Sequence, residues 1–203
     1  MTFNPRMPVT PTQTSPIVRA QAGDAGAFDE LVDLYSARLY GFLYRLTGHR
    51  EDAEDLVQEV FVRVVRTIDS YVDDGKFEAW LFRIATNLAR DRIRRVRRAV
   101  VIPMSGGSRS AGEGGAEGAA FESEADDEPA AAERNLDRAE QVDRLQKAMT
   151  RLPEAEREVI LLRHYTDLSF AQIADMMGTP LGTALARSHR GLQKLREMLK
   201  DDA

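Results

Sequence analysis

The sequence predicts an all-α fold of two small helical domains joined by a flexible acidic linker, the C-terminal domain being a helix-turn-helix. Three observations carry this. Apolar residues recur at three- and four-residue spacing, and no run alternates in the manner of a strand. Residues 103–132 are rich in Gly, Ser, Ala and Glu with one aromatic, Phe121, so they cannot bury enough apolar surface to order themselves. Near the C-terminus two short helical patterns meet at Gly178.

Residues 1–16, with Pro5, Pro8, Pro11 and Pro16 among Thr and Gln, read as a disordered lead. From Ile17 on, Phe28, Leu31, Val32, Leu34, Tyr35, Leu39, Phe42, Leu43 and Leu46 recur at three- and four-residue spacing, the mark of an amphipathic helix that Asp24 caps and Gly48 stops. The second runs from about Glu51 to Ile68, with Leu56, Val57, Val60, Phe61, Val64 and Val65 on one side. Its first turn is acidic (Glu51, Asp52, Glu54, Asp55), which complements the helix dipole. Asp73-Asp74-Gly75 makes a turn, and a third helix spans about Lys76 to Arg98. The first domain is thus residues 17–100 and the linker 101–134. Order returns near Asn135 in a helix bearing Leu136, Val142, Leu145 and Met149. Pro153 fits the first turn of the next helix, Glu154 to Tyr165. Ser169–Met177 and Leu181–Leu199 complete the second domain, residues 135–203.

Composition narrows the function. The 203 residues are 43% hydrophobic and 30% charged, as suits helices with solvated faces. There is no cysteine, and His49, His164 and His189 show no ligand spacing, so neither a metal site nor a cofactor is expected. Met1 to Pro16 lacks the apolar core of a secretory signal, and no window approaches about 18 uninterrupted apolar residues. A cytoplasmic protein without membrane insertion is the expectation. The net charge of −5 conceals segregation. Seven arginines (Arg83, Arg90, Arg92, Arg94, Arg95, Arg97, Arg98) fall within sixteen residues against one acid, Asp91. Such a field suits phosphate neutralisation with counterion release. Tyr71, Phe77, Trp80 and Phe82 lie just upstream. Exposed aromatics beside a basic groove stack unpaired bases, although residues such as Trp80 and Phe77 more often belong to a core. Asp52, Asp55, Gln58 and Glu59 would repel DNA and read either as a protein-binding face or as a solvated one.

In the C-terminal motif Ser169 caps a short helix, Ala174 permits close packing and Gly178 supplies the turn. The second helix of such a unit lies in the major groove. Here it carries Thr183, Arg187, His189 and Arg190, then Lys194 and Arg196; arginines clamp phosphates or read guanine. The plain alternative is a helical hairpin with a solvated basic face.

Together these stretches resemble the sigma-70 superfamily of bacterial RNA polymerase sigma factors. Asp52-Ala53-Glu54-Asp55-Leu56-Val57-Gln58-Glu59-Val60-Phe61 is similar to its most characteristic segment, and Phe77 to Asp91 to the one that follows. Leu152-Pro153, Arg157-Glu158-Val159, Leu168-Ser169, Ile173-Ala174, Gly182-Thr183, Arg187 and Arg190 are similar to its second conserved domain. With two domains and a short linker, the chain resembles the extracytoplasmic-function group. The resemblance implies a dissociable polymerase subunit rather than an enzyme, with no catalytic residue and no small-molecule substrate. It would bind core RNA polymerase, and in some members of the group an anti-sigma factor. Core docking falls to Asp52, Asp55, Leu56, Gln58, Glu59 and Phe61. Reading and melting of the −10 element fall to Ser70, Tyr71, Lys76, Trp80, Arg83, Asn87, Arg90, Arg92, Arg94 and Arg95, with Asn87 on the single-stranded non-template strand. The loop Ser70–Lys76 resembles one that receives a flipped base. Duplex at −35 falls to Thr179, Gly182, Thr183, Leu185, Ala186, Arg187, His189 and Arg190.

The two elements would lie roughly 50–70 Å apart, at about 35 Å per DNA turn. A linker of about 35 residues reaches at most ~115 Å extended and ~30–35 Å relaxed, so polymerase channels would have to extend it, its acids standing in for nucleic acid. One departure matters. Leu185 and Ala186 replace a base and a hydroxyl that commonly face DNA, and Ser188 sits where an apolar core residue is usual, leaving thymine-methyl contacts as a substitute. Two other classes compete: a self-sufficient DNA-binding regulator, and an enzyme acting on nucleic acid, for which no carboxylate pair or nucleophile constellation is present.

Overall fold

A computed structural model describes residues 15–101 and 129–201. The predicted lead, apart from its last two residues, and most of the acidic linker lie outside the described residues. Within them the chain is helical throughout, with no strand.

A six-residue helix, α1 (Pro16–Gln21), precedes those expected; the Ser15 hydroxyl accepts from the Ile17 amide and Pro16 opens the first turn. In α2 (Ala25–Thr47) the Asp24 carboxylate accepts from the Gly26 amide at 3.0 Å, and Gly48 ends the helix at φ 84°. α3 covers Arg50–Thr67, followed by a 3-10 turn at Ile68–Ser70, and α4 covers Phe77–Val101. α5 (Pro129–Arg151) starts inside the stretch read as linker. Pro129 is pre-set for a first turn, and the alanines behind it are strong helix formers. Pro153 stands just outside α6 (Glu154–Tyr165) as its cap, in extended conformation at ψ 136°, rather than within its first turn. α7 (Phe170–Met176) opens with a capping box between Ser169 and Gln172. Gly178, at φ 61°, makes the turn into α8 (Leu181–Asp201). Ala174 is buried, and its carbonyl accepts from the Thr179 amide at 2.9 Å, which closes the turn as the motif requires.

α2 is the centre of the molecule. Leu39, Phe42 and Leu43 are fully buried against Leu56, Val60 and Val64 of α3 and Leu81, Phe82 and Ala85 of α4. α5 to α8 form a second unit around Val159, Leu162, Ile173 and Leu195. Ser188 is buried there at 7% exposure, so the hydroxyl does occupy a core position. The two units pack on each other, α2 against α5 and α6, and their buried residues form one continuous cluster. Gly41 makes the approach possible: a Cβ on it would lie 2.8 Å from the Tyr165 hydroxyl.

Candidate functional site

Three surfaces carry the residues singled out from sequence. On α3, Asp55, Gln58 and Glu59 are exposed, and Asp52 and Phe61 are half-buried. Leu56 is fully buried. It supports this face from beneath, because its helical phase places it with Ala53, Val60 and Val64 on the core side. Val62, 48% exposed, was not singled out. It completes the row Asp55-Gln58-Glu59-Val62 at i, i+3, i+4 and i+7, a register that alone was enough to find it.

On α4 the row Arg83-Asn87-Arg90-Arg94 runs along one face at i, i+4, i+7 and i+11. Asn87 is exposed in its middle. Most of the neighbouring arginines hold carboxylates. Arg83 pairs with Asp175 of α7 at 3.3 Å, Arg94 with Asp91 at 3.0 Å and Arg97 with Glu154 at 2.9 Å. Arg95 is exposed. Arg92 points to α3, 2.6 Å from Asp52 and 3.4 Å from Asp55, so the structure joins residues that the sequence assigned to two different surfaces. In the preceding loop Ser70 and Lys76 are exposed, Lys76 pairing with Asp74 at 3.1 Å. Trp80 is half-buried in a trio with Tyr71 (centroids 4.9 Å apart) and Phe77 (5.5 Å). It therefore packs against its neighbours while keeping part of its ring at the surface. Gln21 of α1 secures the loop by donating to the carbonyls of Tyr71 and Ile68 at 2.6 and 3.0 Å.

On the helix-turn-helix, Gly182, Leu185, His189 and Arg190 are exposed; Thr179, Thr183, Ala186 and Arg187 are half-buried. Arg190 and Lys194 share Glu156 of α6, at 3.5 and 2.9 Å.

A buried ion pair links the second unit to α4. Arg90 donates to both oxygens of Glu158 at 2.5 and 3.1 Å, and the Glu158 side chain is only 3% exposed. Burial holds this carboxyl above the usual glutamate range; Arg90 opposes the rise, Glu154 on the same helix adds to it, and Arg187 of α8 opposes it. A pKa raised on folding contributes stability that is full below the ordinary glutamate range and lost as pH rises through the raised value. The stability of the native chain relative to Glu158→Gln should therefore fall across that window in thermal melts. A difference independent of pH would refute it.

Comparison with known proteins identifies the family. Residues 31–99 match the family described as Sigma-70 region 2, and residues 148–197 match Sigma-70, region 4. The chain is 35% identical to the ECF RNA polymerase sigma factor SigW of Bacillus subtilis over 91% of its own length and 95% of that protein's. The chain belongs to the sigma-70 family of RNA polymerase sigma factors, in the ECF group. It is also 38% identical to SigE of Mycolicibacterium smegmatis over 87% of this chain, spanning 64% of that relative. Its fold is that of the sigma factor RpoE of Bartonella quintana, solved with the anti-sigma factor NepR (TM-score 0.60, 24% identity, 87% of this chain and 98% of that one). As a sigma factor it works with core RNA polymerase and promoter DNA in transcription initiation. The first unit is region 2 and the second region 4. Among the described residues no helix is long and apolar enough to cross a membrane.

Proposed function

We propose that the three surfaces divide the work of this sigma factor. The α3 face of Asp55, Gln58, Glu59 and Val62, with Asp52 and Phe61 at its edge, docks on core polymerase. The α4 row with the loop 70–76 opens and reads the −10 element, and the start of α8 reads −35. The chain acts as a dissociable initiation factor in the cytoplasm, without catalysing a reaction itself.

The observation that carries this reading is the exposed Asn87 set among arginines on one face of α4. Arginines flanking an amide suit a single strand: the cations hold phosphate while the amide pairs with a base edge. The half-exposed Trp80 lies near the start of the same helix, where an unstacked base would need an aromatic partner. On region 4, Leu185 at 44% exposure offers an apolar contact of the kind a thymine methyl accepts. An anti-sigma factor is a further partner in this reading, supported by the complex of the Bartonella quintana relative.

Transcription with core polymerase on a genomic library tests the whole reading: promoter-specific transcripts above those of core alone are expected. Asn87→Ala tests the −10 surface. It should reduce open-complex formation, followed by permanganate reactivity, about tenfold, as the loss of a base contact of ~1–3 kcal/mol implies. Closed-complex binding should change little. Equal loss in both steps would remove Asn87 from strand reading.

A further inference from the structure

The short helix α1 reaches the loop that precedes α4. Gln21, its last residue, is half-buried. Its amide nitrogen donates to the Ile68 carbonyl at 3.0 Å and to the Tyr71 carbonyl at 2.6 Å. A side-chain amide has two N–H groups, so both are spent on this backbone. Ile68 opens the 3-10 turn that feeds the loop 70–76, and Tyr71 follows that turn. α1 is itself fixed to α2: Ala20 is buried, and Arg19 pairs with Asp24 at 3.6 Å and with Glu30. Gln21 is thus a strut between an anchored helix and a loop some fifty positions further along the chain. The far half of that loop ties itself. The Asp73 carboxylate accepts from the Gly75 amide and the Asp74 carboxylate from the Lys76 amide, each at 3.2 Å, and Gly75 turns at φ 75°. The near half leans on its surroundings: the Tyr71 ring on Phe77 and Trp80, the Tyr71 carbonyl on Gln21. Between the halves Val72 stands 80% exposed, too open for packing to place it, so its direction follows from the backbone path at Tyr71.

We propose that Gln21 is a positioning residue for −10 selection: without touching DNA, it fixes the backbone at Tyr71 and so the pose in which the loop 70–76 meets a base. This rests on the assignment of that loop to the −10 element. A loop that receives an unstacked base discriminates only if its groups are in place before the base arrives. Two ordinary hydrogen bonds favour one pose about tenfold. Without them the loop samples poses that accept other bases as well. The defect is then one of choice between sequences, not of affinity for core polymerase, because α1 lies apart from the exposed row of α3.

The test is open-complex formation by core polymerase with the full chain, on promoters carrying each single-base change across the −10 element. Gln21→Leu keeps the bulk and removes the donors. It should lower the preference for the best base about tenfold at the position the loop meets, with preference at the other positions and core affinity unchanged. Gln21→Lys returns a donor to the same carbonyls and should restore most of the preference. Preference is a ratio between templates, so a loss of folded protein, which scales every template alike, does not move it. The free chain gives a second readout. Trp80, the single tryptophan, lies against Tyr71 with centroids 4.9 Å apart. Gln21→Leu should redden its emission and speed its quenching by acrylamide, and Gln21→Lys should reverse both. Unchanged base preference in Gln21→Leu, or a Trp80 signal identical to that of the native chain, would overturn the proposal. Ser70→Ala with Lys76→Ala, in the loop itself, separates the two readings. If that pair alters base preference and Gln21→Leu does not, the strut fails and the loop keeps its role; if neither does, the loop is not the reader and both fall.

Discussion

Phe42→Ala is expected to lower the unfolding free energy by about 3–5 kcal/mol, the range for removing a fully buried aromatic. Phe42 has no exposed surface. Its ring lies edge-on to Phe82 at 5.2 Å and to Tyr165 at 6.0 Å, so it sits where α2, α4 and α6 meet. Truncation would leave a cavity between helices that cannot all close in on it, since each is held elsewhere: α4 by Leu81 and Ala85, α6 by Val159 and Leu162. Against a typical total of 5–15 kcal/mol, such a loss is a large share of the stability. Urea titration should show the midpoint moving to lower denaturant with an unchanged slope. A loss below about 1 kcal/mol would mean that the site collapses around the smaller side chain and that the rings do not hold the helices in place.

Replacing Asp55, Gln58 and Glu59 together by alanine should weaken binding to core polymerase about 100-fold, or ~2.7 kcal/mol, while leaving the fold intact. All three are exposed. Exposed substitutions usually change stability by no more than about 0.5 kcal/mol each, and alanine favours the helix. The loss would therefore be one of contact. Competition against a labelled sigma subunit measures it, with circular dichroism as the control for folding. A reduction under about threefold would move the docking face elsewhere on the chain. Adding Val62→Asp should deepen the defect, because the valine extends the same row and offers an apolar contact that a carboxylate would spoil.

Most of the helices were readable because each has one apolar face and a recognisable start or stop. Asp24, Ser169, Gly48 and Gly178 all act where sequence places them. The short α1 was missed because six residues are too few to display a period. The start of α5 was missed because alanine contributes to helix propensity without marking a face. Leu56 lies within the characteristic stretch whose resemblance implies docking, yet its helical phase sends it to the core. What no periodicity could give is the packing of region 4 on α2 and α4. That contact is made by Gly41, Tyr165, Arg90 and Glu158, single residues without a repeating pattern, whose proximity depends on helix directions that local sequence does not encode. Nor could charge patterning say that Arg92 serves Asp52 and Asp55, because a basic run reads alike whether its members face solvent, DNA or acids on another helix.

The Arg92 clamp has a consequence for chimeras. A docking helix transplanted from another sigma factor would carry new residues at positions 52 and 55, while the recipient's α4 would keep an arginine only 25% exposed and deprived of its acids. On the proposed assignment of α3 to docking and α4 to the −10 element, this clamp would couple promoter preference to polymerase affinity. A graft of α3 will be tolerated only if residue 92 travels with it, and any natural drift at Asp52 has to be answered on a helix forty positions away.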